Sequence, residues 1–118
     1  MDASLYNYRA QVRAVYDGDT CTVDIDLGLG VWLRGEKLRL YGVNAPELIG
    51  EERPQGIKAR DFLRSLIDDR EIIIRTYRDK KGKYGRYLAE LFIPKSGGGW
   101  LNVNDELVSR GFAVYKEY

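Results

Sequence analysis

The stretch Arg39–Glu47 reads RLYGVNAPE and marks the place where an apolar strand meets a polar turn. We expect a strand over residues 38–43 that stops before the proline, because proline lacks the N–H that a strand ladder needs. Alternation turns Arg39 away from its two leucine neighbours, so it faces an outer groove if the leucines fill the core. Asn44 and Glu47 then leave the strand end with oxygen atoms at their tips.

The regions around this stretch predict four more strands and two helices. Period-2 alternation and β-branched runs place the strands at residues 8–16, 20–27, 38–43, 71–77 and 86–93. In the first strand we expect one face to carry Tyr8, Ala10, Val12, Ala14 and Tyr16. Helical spacing predicts a main helix from Pro54 to Asp68. A short second helix follows Asn102 or Asn104, either of which can cap it, and ends at Gly111.

This order of elements predicts the fold class. Three strands, a helix, two strands and a helix are typical of a mainly β fold with helices (α+β), namely a five-stranded OB-fold barrel. The main helix lies between strands 3 and 4, and the short helix is C-terminal. With 118 residues, the chain is expected to form a single domain over residues 1–118.

The absence of histidine from the sequence excludes several kinds of chemistry. Ser-His-Asp and Cys-His catalysis both require it, and so do most zinc sites in a chain with one cysteine. Cys21 lies in a predicted strand, where we interpret it as a small buried apolar residue. A general base must therefore be Asp, Glu, Lys or Tyr. A metal would have to accept oxygen ligands, which favours calcium, magnesium or manganese.

Two further motifs lie at predicted strand ends. Asp19 belongs to the turn sequence DGDT at residues 17–20, and residues 83–86 read KYGR. Taken separately, they are typical of an Asx turn and of a basic hairpin tip. Together with RLYGVNAPE they supply two arginines, two carboxylates and an extra side-chain oxygen, which suits metal-assisted attack on a phosphodiester. Acidic residues gather near Asp17, Asp19, Asp24 and Asp26, and basic residues between Arg75 and Arg86.

The three motifs, in this order, resemble those of the staphylococcal nuclease (thermonuclease-like) family from about Tyr8 to Phe112. The resemblance implies an OB barrel, calcium dependence and cleavage of DNA and RNA. It assigns Arg39, Glu47 and Arg86 to catalysis. It assigns calcium to Asp19, Asn44 and the backbone carbonyl of Ala45. It assigns substrate binding to Lys83 and Tyr84, with Tyr115 or Tyr118 stacking on a base.

Asn44 departs from the family pattern, in which an aspartate binds calcium. Asparagine keeps an oxygen ligand and removes one negative charge, so we expect weaker calcium binding. Two functions follow as hypotheses. The first is a calcium-dependent endonuclease of low sequence specificity that acts on DNA and/or RNA, with single-stranded or frayed substrates preferred. The alternative is a catalytically weak or inactive module of the same fold that binds nucleic acid or protein.

Other expectations concern the protein's surroundings. The longest apolar runs are too short for a membrane span, and we expect a monomer. Residues 1–5 lack the basic and apolar regions of a secretory signal. This predicts a cytoplasmic location, or a secreted one if a leader has been removed.

Overall fold

Eight strands and two helices make up the described part of the chain. A computed structural model describes residues 6–81 and 86–117, with side chains for all of these except 78–81. The strands are β1 (Asn7–Asp17), β2 (Thr20–Gly28), β3 (Val31–Leu40), β4 (Val43–Asn44), β5 (Glu71–Lys81), β6 (Tyr87–Pro94), β7 (Trp100–Asn102) and β8 (Val114–Tyr115). The helices are α1 (Arg53–Ile67), after a 3₁₀ turn at Gly50–Glu52, and α2 (Val103–Ser109). Neither helix of these ranges is long and apolar enough to cross a membrane.

Five of the strands close into a barrel. The sheet has the order β3-β2-β1-β5-β6-β7, and a second pairing joins β3 to β6 in parallel. That pairing sets Leu38 beside Tyr87 and Arg39 beside Leu88. Helix α1 lies in sequence between the third and fourth barrel strands, β3 and β5. The predicted five-stranded OB barrel with a main and a short helix is therefore confirmed.

The third barrel strand differs from the prediction at both ends. It begins at Val31, so the glycine-rich stretch before it is a hairpin tip, and it ends at Leu40. Gly42 turns the chain with a φ of 79°, a left-handed value that glycine adopts without strain. The next two residues form the separate strand β4, which pairs with β8 near the C-terminus. The local pattern could not show this break, because β4 depends on a partner about 70 residues away along the chain.

A bulge in β1 overturns the predicted alternation of that strand. Ala10 and Val12 are buried as expected, but the register shifts between Val12 and Ala14. The next buried residue is therefore Val15, whereas Ala14 and Tyr16 are exposed. A bulge adds one residue to one strand of a pair and moves the following side chains to the other face. Tyr16 consequently lies on the outside of the barrel.

Helix α1 closes one side of the core. Pro54 lies in its first turn, where the missing N–H costs no helical hydrogen bond. Ala59, Leu63 and Ile67 are fully buried at helical spacing and belong to the same apolar cluster as the barrel interior. The helix is also tied to β1 at its surface, because Arg64 Nη2 donates to the Val15 carbonyl at 3.1 Å.

Helix α2 is capped by one of its two candidate asparagines and anchored by the other. The Asn102 side chain accepts from the Asp105 N–H, which identifies Asn102 as the cap. Asn104 is instead only 2% exposed. Its Oδ1 accepts from the Leu91 N–H at 3.2 Å, and its Nδ2 donates to the carbonyls of Tyr41 and Ala89 at 3.0 and 3.1 Å. One side chain thus joins α2, β6 and the turn after β3.

Replacing Asn104 with alanine should destabilise the fold strongly. The change leaves the Leu91 N–H and the Tyr41 carbonyl without their side-chain partner, whereas the Ala89 carbonyl still accepts from the Tyr41 N–H at 2.8 Å. Each buried polar group left unpaired costs about 1–3 kcal/mol. We expect the free energy of unfolding in urea to fall by about 3 kcal/mol. The control is Asn102→Ala, which removes a helix cap and the part-buried hydrogen bond from Asn102 Nδ2 to Glu90 Oε2 at 3.0 Å, and should cost about 1–2 kcal/mol. Equal losses for the two variants would contradict the anchoring role of Asn104.

Candidate active site

The Asp19 carboxylate joins the turn between β1 and β2 to the end of β3. The side chain is buried, and its Oδ2 accepts the Ala45 N–H at 2.8 Å. The same oxygen lies 3.5 Å from Arg39 Nη2, while Oδ1 accepts from the Thr20 hydroxyl at 3.2 Å. The Asp19 backbone N–H donates to Asp17 Oδ1, which shapes the turn. The first two sequence motifs are therefore in direct contact.

Arg39 points away from the core but is itself buried. Leu38 and Leu40 on either side are fully enclosed in the barrel, as alternation predicted, and Arg39 is 8% exposed on the opposite face. Its Nη1 donates to the carbonyls of Leu40 and Val43, both at 2.8 Å, and its Nη2 donates to Asn44 Oδ1 at 3.0 Å. A guanidinium has five N–H groups, and these three bonds together with the Asp19 contact of Nη2 at 3.5 Å leave the Nε–H. Arg39 thus shapes the site and retains one donor for an anion.

Asp19, Asn44 and Ala45, which were expected to hold calcium, lie together. Oxygen donors of this kind suit calcium or magnesium. However, Arg39 occupies one lone pair of the Asn44 amide oxygen, and Asp19 is already bound to several donors. Within the ranges that the structure describes, no three acidic, cysteine or histidine side chains gather as a metal cluster. The donor chemistry fits a hard cation, while the negative charge at the site is low.

A second carboxyl group lies close to Asp19. Burial, followed by the charge of Asp19, raises the pKa of Asp17 to about 6. A shift of this kind indicates two carboxylates that repel each other in a partly desolvated turn. A cation nearby would relieve that repulsion, so Asp17 adds to the fit of this corner to a metal.

Asp24 does not belong to this acidic corner, although the sequence groups it there. It accepts from the Gly35 N–H at 2.9 Å, from Arg13 Nε at 2.6 Å and from Arg34 Nη1 at 3.1 Å. The Gly35 bond first, and then Arg13, lower the pKa of Asp24 to about 2. The Asp24 carboxylate is therefore paired with groups of β1 and β3, which it joins to β2, and it is not available to a ligand.

Glu47 lies on the loop between β4 and α1, and α1 packs against the backbone of this loop. The side chain is exposed, and its backbone N–H donates to Glu52 Oε1 at 3.3 Å. Gly56 in α1 packs against the backbone of this loop. A Cβ atom added at Gly56 would lie 3.0 Å from the Pro46 carbonyl oxygen and even closer to the Glu47 carbonyl oxygen. Gly18 is equally tight, since a Cβ there would lie 2.7 Å from the Cβ atoms of Ala45 and Ala59.

Sequence reasoning missed these two glycines as parts of the site. A glycine inside a helix costs about 1 kcal/mol relative to alanine. The presence of Gly56 in the predicted helix was therefore a sequence signal that another part of the chain packs closely against the helix. What approaches it could not be read from the chain. The structure shows that it is the loop carrying Glu47.

Arg86 lies one residue before Tyr87, the parallel partner of Leu38, and so comes from the strand next to the one that carries Arg39. It is half-buried, immediately precedes β6, and borders a cavity that also includes Thr20 and Lys37. Lys83 and Tyr84 fall outside the described residues, so their substrate-binding roles stay predictions.

Tyr115 is held at the C-terminal side of the site. It lies in β8 opposite Val43, and its ring is 65% exposed. Its hydroxyl donates to Asp105 Oδ1 at 3.1 Å, and this bond raises the pKa of the phenol. The ring is accessible, and stacking on a base stays a prediction for it; Tyr118 lies outside the described residues.

The Gly56→Ala variant tests the contact between helix and loop. Alanine favours a helix by about 1 kcal/mol, so the variant would be stabilised if nothing touched the position. Because a Cβ there meets the Glu47 backbone, we expect instead a net loss of about 1–3 kcal/mol in urea unfolding. Lys58→Ala, an exposed change in the same helix, should stay within about 0.5 kcal/mol. A Gly56→Ala protein more stable than the wild type would refute the contact.

Comparison with known proteins identifies relatives of this chain. A sequence model described as staphylococcal nuclease homologue matches residues 37–118. An uncharacterized protein of Methanocaldococcus jannaschii is 33% identical over 128 residues, an alignment that covers 91% of this chain and 58% of that protein.

Two thermonucleases also match. That of Staphylococcus hyicus is 30% identical over 111 residues, and that of Staphylococcus intermedius is 32% identical over 110 residues. These alignments cover 92% and 91% of this chain, and 59% of each thermonuclease. The chain thus spans somewhat less than two thirds of the length of the curated relatives it matches.

Proposed function

The chain belongs to the staphylococcal nuclease homologue family, and from that premise we propose that it is a nuclease that hydrolyses phosphodiester bonds in DNA and/or RNA. The observation that carries the proposal is the contact between the two motifs, in which Asp19 binds the Ala45 N–H and lies beside Arg39. This arrangement puts a carboxylate, a guanidinium and an amide oxygen at one strand end. A plain structural turn would require none of the three.

The arginines bind and stabilise the phosphate in this proposal. Arg39 is fixed by three hydrogen bonds and by the Asp19 carboxylate, and it presents its Nε–H to a phosphate oxygen. Arg86 supplies the second guanidinium from the start of β6. Both stabilise the extra negative charge that develops when phosphorus becomes five-coordinate. Such preorganised donors are worth about 100-fold or more each, because they need no rearrangement as the charge forms.

Glu47 acts as the general base. Its exposed side chain orients a water molecule and accepts its proton as the water attacks phosphorus. Gly56 holds the loop in place, because the helix backbone supports the Glu47 peptide directly. By family resemblance, the bond to the 5′-oxygen breaks and a 3′-phosphate remains.

Calcium is the proposed cofactor, and this chain would hold it with Asp19, Asn44 and the Ala45 carbonyl, with Asp17 close by. When bound, the ion would neutralise the charge on a phosphate oxygen and lower the pKa of a water molecule. The low charge of the donor set predicts weak binding, since calcium affinity rises with the number of anionic ligands.

Substrate binding through phosphates gives affinity and little sequence preference. Flexible single strands and frayed duplex ends fit such a site best, because their backbones can bend into it and their bases can stack on an aromatic ring. Among the residues that the structure describes, the exposed Tyr115 is the candidate for that stacking.

A second candidate function is supported by Asn44. The residue replaces a calcium carboxylate of the family pattern, and its amide oxygen is held by Arg39. A module that binds nucleic acid or protein without cleaving it would tolerate such a change. The retained set of Asp19, Arg39, Glu47 and Arg86 favours the enzyme.

Glu47→Gln distinguishes the two functions. With denatured DNA and saturating calcium, we expect wild type to release acid-soluble fragments, a chelator to stop the release, and the variant to be about 100-fold slower or worse. Glu51→Gln makes the same change at a neighbouring exposed position and should leave the rate unaltered. Wild type that binds the DNA but leaves it intact at every calcium concentration would establish the binding module instead.

Asn44→Asp tests the metal site itself. The variant adds a carboxylate next to Asp19, and we expect calcium affinity, measured by titration calorimetry, to rise about tenfold. Asn7→Asp is the matched control, since it adds the same charge at the start of β1, where Asn7 Oδ1 already accepts from Arg75 Nε at 3.4 Å. An equal calcium affinity for both variants and the wild type would place the ion elsewhere.

A further inference from the structure

A basic cavity adjoins the candidate active site on the outer surface of the barrel. Its volume is about 420 Å³, within the range of small-molecule sites. Three cationic side chains and three hydroxyl groups border it, and none of its described lining residues is acidic. These residues are Tyr16, Thr20, Thr22, Lys37, Arg64 and Arg86.

The strand register makes this cavity continuous with the site around Arg39. Thr20 pairs with Arg39 and Thr22 pairs with Lys37 in the same regular stretch of β2 and β3. Lys37 is therefore two residues from Arg39 on the same face of the sheet, a spacing of about 7 Å. Arg86 precedes Tyr87, the parallel partner of Leu38, so it reaches the same edge.

The wall opposite the sheet is fixed by α1. Arg64 Nη2 donates to the Val15 carbonyl at 3.1 Å, which holds the guanidinium at the cavity while leaving the side chain 45% exposed. Its nearest acid, Asp61, is 4.0 Å away and more than half exposed, so it offsets little of the charge. Among the described residues, Lys37 has no ion pair.

Tyr16 supplies an aromatic surface at the rim. The bulge in β1 turns this residue outward, and it is 69% exposed. A ring beside a group of cations matches what single-stranded nucleic acid requires, namely charge for the phosphate and a flat apolar face for the base.

We propose that this cavity binds the nucleotide adjacent to the scissile linkage, with its phosphate on Lys37 and Arg64 and its base against Tyr16. The proposal rests on the nuclease function proposed above and extends it by one subsite. Arg86 borders the cavity and is the second phosphate-binding arginine of the proposed function. It would therefore contact the linkage that is cut, and Lys37 and Arg64 would contact the phosphate next to it.

The test is a binding measurement that does not depend on cleavage. Fluorescence anisotropy of a labelled oligothymidylate in a chelator gives the dissociation constant over a range of salt concentrations. For Lys37→Gln we expect affinity to fall about tenfold and the slope of log K against log salt to decrease by about 0.7, the effect of one lost phosphate contact on a single strand. Arg64→Gln should act alike, and circular dichroism verifies that each variant is folded.

Lys95→Gln is the matched control, because it removes one exposed positive charge at the opposite end of β6 from Arg86. It should leave both the affinity and the salt slope unchanged. If wild type cleaves DNA and binds the probe, but Lys37→Gln keeps the wild-type affinity and slope, the subsite is refuted while the nuclease proposal stands. If wild type neither binds nor cleaves, both proposals fail together.

Discussion

The buried pair of Asp19 and Arg39 is the interaction on which both the fold and the site depend. Each side chain is about 9% exposed, so neither charge can rely on water. Asp19 is satisfied by the Ala45 N–H and the Thr20 hydroxyl as well as by Arg39, and Arg39 donates to two carbonyls of the turn after β3. Loss of one member of such a pair typically costs about 3–5 kcal/mol, because the other charge is left buried alone. The same contacts fix a carboxylate and a guanidinium where a phosphate would need them.

Small residues allow the helix to support this arrangement. Gly18 and Gly56 have no side chain at the two points where α1 meets the site, and Ala59 fills the remaining space. The helix can therefore touch the backbone of the loop that carries Glu47. Barrel closure acts from the other side, since the parallel pairing of β3 with β6 brings Arg86 to the edge that carries Arg39. Non-local contacts thus bring the first two motifs together and place Arg86, the described residue of the third, on the neighbouring strand.

The candidate site combines the two proposed phosphate-binding arginines with a proposed metal corner of low negative charge. Asn44 is the reason, because its amide replaces a carboxylate and also accepts from Arg39. Asp17 is a second carboxyl group in the same turn, where its Oδ1 accepts from the Asp19 N–H at 3.0 Å. Family membership and the geometry favour hydrolysis of nucleic acid. In the proposed function, the affinity for calcium decides how much activity this version of the site has.

The sequence alone determined the barrel class, the main helix, the family and the residue types of the site. These depend on local rules: alternation in strands, helical spacing, turn residues, and a motif whose chemistry does not change with context. Only the tertiary structure decided that Tyr16 faces outward after a bulge and that β4 pairs with β8. It also decided that Asn104 anchors α2 instead of capping it. It also decided which backbone meets Gly56. Each of these is settled by a partner far away along the chain, and a linear pattern shows what a residue can do but not what it will touch.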